Sequence, residues 1–94
     1  MHAQDAVKSA TRYKILDRMH SIGRFVIAER ENQSEQVTRQ LDIKGVPGDE
    51  VYEGFRQLIE EGEIREFFNR EPLGPGGTTN ETVYENQITY LLDE

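Results

Sequence analysis

The sequence predicts a small α+β domain in which three helices are followed by an antiparallel β-hairpin. Three observations carry that expectation. Apolar residues recur at three- and four-residue spacing in three separate stretches, as on one face of a helix. Gly62 stands where the third stretch ends and an extended run begins. From Thr82 to Leu92 apolar and polar residues alternate, the two-residue period of a strand.

The first helix is expected from Asp5 to about Ile22, a stretch free of proline and glycine, with Ile15, Leu16, Met19 and Ile22 on its inner face and Gly23 at its end. Traced backward, that face meets Arg12 and Lys8. The first two turns, with Ala3, Ala6, Val7 and Ala10, are therefore expected to overhang the core, and residues 1–11 either fray or pack on another chain. Arg24 to Ala28 is a short apolar run that fits a strand or an irregular buried link. Asn32, with Glu35 three positions on, marks the start of a second helix that carries Val37 and Leu41 inward and ends near Lys44 and Gly45. Val46-Pro47-Gly48 breaks the chain, and Asp49 and Glu50 place negative charge at the start of the third helix, where its dipole favours them.

Val51, Tyr52, Phe55, Leu58, Ile59 and Ile64 form the best apolar stripe of the chain. Gly62 supplies the left-handed turn that stops this helix and launches the strand Ile64 to Phe68. Asn69 to Asn80 is rich in glycine and proline and reads as a mobile connection, so residues 69–81 are expected to form a flexible tip. The returning strand puts Tyr84, Ile88, Tyr90 and Leu92 on one face with Asn86, and Glu85, Gln87 and Thr89 on the other. Tyr13, Tyr84 and Tyr90 are expected in apolar faces of the core. All 94 residues are read as one domain.

Leu, Ile, Val and Phe number only 23, so the core is small. The absence of cysteine excludes disulfides, thiolate metal sites and cysteine nucleophiles, and two histidines cannot make a multi-histidine metal site. His20 reads as a surface residue. No window reaches the roughly 20 apolar residues of a membrane span, and the N-terminus lacks the order of a signal peptide, so a cytoplasmic chain that contacts no membrane is expected. Gly74 to Thr79 lacks the lysine of a phosphate-binding loop and lies between strands. No serine or threonine has a plausible base and no carboxylate pair lines a pocket, so neither catalysis, a cofactor nor a small-molecule substrate is expected.

The net charge is −7, unevenly spread: eight basic and six acidic residues precede position 45, and three basic and twelve acidic residues follow it. Such polarity suits an oppositely charged partner or head-to-tail pairing of copies. Only three of the eleven basic residues are lysine, a composition that leans toward a salt-adapted, halophilic source.

The order of elements and the segment Val51 to Phe67, with its stripe closing on Glu61-Gly62-Glu63-Ile64, resemble the winged-helix (winged helix-turn-helix) superfamily. Within it, residues 37–67 are similar to the small winged helix at the C-terminus of archaeal minichromosome maintenance replicative helicases, although the tip here is longer. The resemblance implies an α+β winged helix whose C-terminal antiparallel wing has two or three strands. It also implies nucleic-acid contact through the third helix and the wing. The candidate donors for such contact are Arg39, Lys44, Arg56, Arg65 and Arg70. Against it, the exposed side of the third helix carries Asp49, Glu50, Glu53, Glu60 and Glu61, and carboxylates repel phosphate. The reading that follows is a non-enzymatic interaction or regulatory module in a replication or transcription setting. It docks on a protein partner or on its own copy through Val7, Lys8, Ala10 and Arg12 of the first helix and Glu53 and Glu60 of the third. The alternative is a small transcriptional regulator that binds duplex DNA.

Overall fold

The computed structural model describes residues 7–75 and 82–93. Their elements run in the order α1 (Ser9–Ile22), β1 (Arg24–Ala28), α2 (Gln33–Leu41), α3 (Gly48–Glu60), β2 (Ile64–Pro75) and β3 (Thr82–Leu92). The three strands form one antiparallel sheet in the order β1-β3-β2, an α+β architecture with the helices on one face. None of the described helices is long and apolar enough to cross a membrane.

Strand register sorts the side chains between two faces, because residues directly opposite in an antiparallel pair point the same way. Phe25 and Ile27 of β1 lie beside Tyr90 and Ile88 of β3, and Ile64 of β2 lies beside Leu92. These residues face the helices, where they meet Ile15, Met19, Val37, Leu41, Val51, Phe55 and Leu58 in a single core. Phe25, Phe55 and Tyr90 form its aromatic centre, with ring centroids 4.8 to 5.9 Å apart. The opposite face of the sheet carries no helix and leaves Val26 and Phe67 exposed.

Side chains knit the helices to the sheet. Gln36 of α2 accepts a bond from the Ala28 N–H and donates one to the Ala28 carbonyl, both at 2.9 Å, which fixes the end of β1. Arg18 of α1 donates to the Leu41 carbonyl at 2.7 Å and so satisfies a terminal carbonyl of α2. Gly62, at φ +83°, makes the expected turn from α3 into β2.

Several boundaries differ from the sequence expectation. α1 begins at Ser9, not Asp5, and Val7 before it is half-buried against α3, so this part of the chain does not overhang; Ala3 and Ala6 lie outside the described residues. α2 stops at Leu41 because Asp42 takes a left-handed conformation, φ 51°, beside Lys44. β2 continues through Asn69 and Arg70 to Pro75, where a mobile segment was expected. Its partner β3 is long enough to pair it throughout, and a bulge between Pro72 and Gly74 absorbs the irregular residues. The rest of the expected tip, 76–81, lies outside the described residues. Of the three tyrosines expected in the core, only Tyr90 is buried; Tyr13 and Tyr84 are exposed.

Candidate functional site

α3 is the element with the most distinctive surface. Its stripe Val51, Phe55 and Leu58 is buried, and Gly54 is buried with them because α1 passes so close. A methyl group on Gly54 would sit 2.9 Å from Ile15 Cδ1 and 3.2 Å from Val7 Cγ1. Polar contacts hold the same approach. Thr11 Oγ1 donates to Glu50 at 2.7 Å, the Val7 N–H donates to Gln57 at 3.3 Å, and Arg12 pairs with Glu61.

This seating leaves Asp49, Glu53 and Glu60 on the exposed side of α3, whereas Glu61, just past its end, is turned to Arg12 of α1. Asp49 and Glu50 lie in the first turn, where the dipole stabilises them, but no basic residue lies in the last turn near Glu60. Arg56, the one basic residue of the helix, folds back onto the hairpin. It donates to Glu66 Oε2 at 2.6 Å, and the same oxygen accepts the Tyr90 hydroxyl at 2.8 Å. Partial burial works against the charged guanidinium, yet the bond to Glu66 and its charge prevail, and the Arg56 pKa rises. The Tyr90 phenol is raised as well, first by burial and then by Glu66.

The other candidate cations are dispersed. Arg39 pairs with Glu35 at 3.4 Å and Lys44 with Asp42 at 2.8 Å, a bond that holds the Asp42 carboxyl below its ordinary range. Arg65 points to the helix-free face of the sheet, 3.8 Å from Asp93 and stacked over Phe67. Arg70 lies on the opposite face, its guanidinium 4.4 Å from the Tyr84 ring centre. The structure thus brings Arg56 to the hairpin but gathers no common basic surface from Arg39, Lys44, Arg56, Arg65 and Arg70.

The α1 candidates divide too. Val7 and Arg12 are engaged with α3 of the same chain, whereas Lys8 and Ala10 are exposed. Ser9, Arg12, Tyr13 and Leu16 line a shallow groove of about 220 Å³ on the outer side of α1. A second open groove, about 560 Å³, runs from Ile59 and Gly62 along Ile64 to Phe67 and reaches Asp93.

Two features escaped the sequence reading although a signal was present. Phe67 and Phe68 are adjacent in a strand and must point to opposite faces, so they cannot both enter one core; both are exposed. Glu66 shares the inward parity of Ile64, and a carboxylate there needs a partner, which Arg56 and Tyr90 supply. Among the described residues no group of acids and histidines is arranged to hold a metal ion. Comparison with known proteins found no matching family model, curated protein or solved structure.

Proposed function

We propose that this chain is a non-enzymatic winged-helix interaction module whose third helix docks on a basic protein surface. One observation carries the reading: the exposed side of α3 presents Asp49, Glu53 and Glu60, none of them in an ion pair among the described residues, while its single cation, Arg56, is committed to Glu66. A helix built this way repels a phosphate backbone and attracts lysine and arginine side chains. The net charge of −7 acts in the same direction. A replication or transcription setting, and a salt-adapted source, fit the acidic surface.

The alternative, a DNA-binding regulator, is favoured by the helix-facing side of the hairpin beyond the core. There Phe68, Arg70, Tyr84 and Asn86 are exposed with no carboxylate among them. Fluorescence anisotropy separates the two readings. With labelled duplex DNA at about 50 mM salt no binding is expected, while an arginine-rich peptide should bind and lose that binding in the Glu53→Lys, Glu60→Lys variant. Duplex binding that falls steeply with salt and disappears in Arg56→Ala or Arg70→Ala would overturn the docking reading.

A further inference from the structure

The sheet order leaves one edge of β2 without a partner strand, and among the described residues no other backbone group bonds to it. This edge is long, and an unpaired edge is a template for another strand. Its regular part runs from Ile64 to Pro72, where the bulge begins, so its midpoint is Phe68. Phe68 is 63% exposed, and the open groove of α3 and β2 runs along the first half of the same strand.

We propose that two copies of this chain pair antiparallel along these edges, about a two-fold axis at Phe68, to make one six-stranded sheet. The charge pattern selects the second copy as occupant and selects the register. Opposed residues in an antiparallel pair share a face, so a two-fold axis must pass through a residue and not between two. With the axis at Phe68, Arg65 opposes Glu71 of the second copy and Glu66 opposes Arg70, each twice by symmetry. Phe68 meets its own counterpart, Phe67 meets Asn69, and Ile64 meets Pro72.

The neighbouring registers lack this match. An axis at Glu66 sets two carboxylates face to face, and one at Arg70 sets two guanidinium groups together. At Phe67 it opposes Glu63 to Glu71, and at Asn69 it places Phe67 against Glu71 and Phe68 against Arg70. Two of the three basic residues in the acidic second half lie on β2, so this edge is locally neutral within a strongly negative chain. Existing contacts are compatible: Arg65 has only a long, exposed pair with Asp93 at 3.8 Å to share with Glu71. Arg56 and Tyr90 both use Oε2 of Glu66, which leaves Oε1 to meet Arg70. The Tyr84 stack uses the plane of the Arg70 guanidinium, whose donors lie at its rim. This pairing is independent of how α3 docks, since it uses the other side of the hairpin strand and survives if α3 binds nothing.

Charge reversal tests it, with mass measured by sedimentation equilibrium up to about 0.5 mM, a range that covers weak interfaces. The native chain should approach twice its 10.9 kDa. Arg65→Glu places Glu opposite Glu71, Glu71→Arg places Arg opposite Arg65, and each alone should weaken association roughly ten- to hundredfold. An equimolar mixture of the two variants should regain the dimer, because both cross-strand pairs are then complementary. Positions 65 and 71 are about 20 Å apart along one strand, so no effect within a single chain mimics that rescue. Far-ultraviolet circular dichroism of each variant confirms that it is folded. A native chain that stays monomeric, a dimer indifferent to both reversals, or a mixture that fails to reassociate would each overturn the proposal.

Discussion

Glu66 shows how one residue can decide the behaviour of its neighbours. A carboxylate on the inward side of a strand is costly unless it is bonded, and here Arg56 and the Tyr90 hydroxyl meet the same oxygen. Arg56 thereby ties the third helix to the hairpin instead of projecting from it. Tyr90 offers a direct readout of this cluster. Its side chain is fully buried, and burial followed by the Glu66 charge raises the phenol pKa above the ordinary value near 10. Below that value the phenol is protonated in both folded and unfolded chains, and its contribution to stability is complete. Above it the unfolded chain releases the proton while the folded one retains it, so stability falls by up to about 1.4 kcal/mol per pH unit. Tyr90→Phe should cost about 1 kcal/mol at neutral pH and should lack this alkaline loss. Urea unfolding of the two proteins should therefore give stabilities that meet within about one unit above pH 10 and then cross, the native protein being the less stable by about pH 12. Parallel curves over that range would show that Tyr90 is not held in its protonated form by the fold.

The packing of α1 on α3 depends on the missing side chain of Gly54. Alanine at this position would gain about 1 kcal/mol of helix propensity. It would also press on Ile15 Cδ1, 2.9 Å away at the centre of the core, and on Val7; overpacking of that kind costs about 1–3 kcal/mol. Gly54→Ala should accordingly lose about 1 kcal/mol net. Ile15→Val removes the crowded carbon, so the double variant should be about 1 kcal/mol more stable than the sum of the two single changes, measured in urea. Simple additivity would place the strain elsewhere. This contact also marks where sequence reasoning ran out. α3, the Gly62 turn and the alternation of β3 were readable because each depends on residues within a few positions of one another. The extent of β2 was not, because Asn69 to Pro75 is ordered by pairing with β3 across the hairpin, against the local signal of its prolines and glycine. For the same reason the partner of Arg56 was hidden: Glu66 is ten residues away and reaches it only after the chain reverses at Gly62. Of the candidate site, the acidic exposed side of α3 was legible from its stripe, whereas the commitment of Arg56 to the hairpin and the placing of Arg65 and Arg70 on opposite sheet faces required the register.

Considered as one charged body, the protein keeps acids where they oppose its own stability. Glu60 lies at the C-terminal end of α3, where the helix dipole disfavours a carboxylate, and neither it nor Glu53 forms an ion pair among the described residues. The net charge of −7 adds repulsion from the rest of the molecule. Residues that persist against the stability of a fold are candidates for function, which accords with docking through this side of α3. Glutamate and glutamine have nearly equal helix propensity, so Glu60→Gln isolates the charge. The variant should gain about 0.5 kcal/mol at low ionic strength, and the gain should vanish near 1 M salt, where the screening length is about 3 Å. In the same protein, affinity for a basic peptide should fall. A gain in stability of equal size at low and high salt would mean that the carboxylate is not electrostatically disfavoured. Undiminished peptide affinity beside a salt-dependent gain would mean that Glu60 is disfavoured without serving the docking surface.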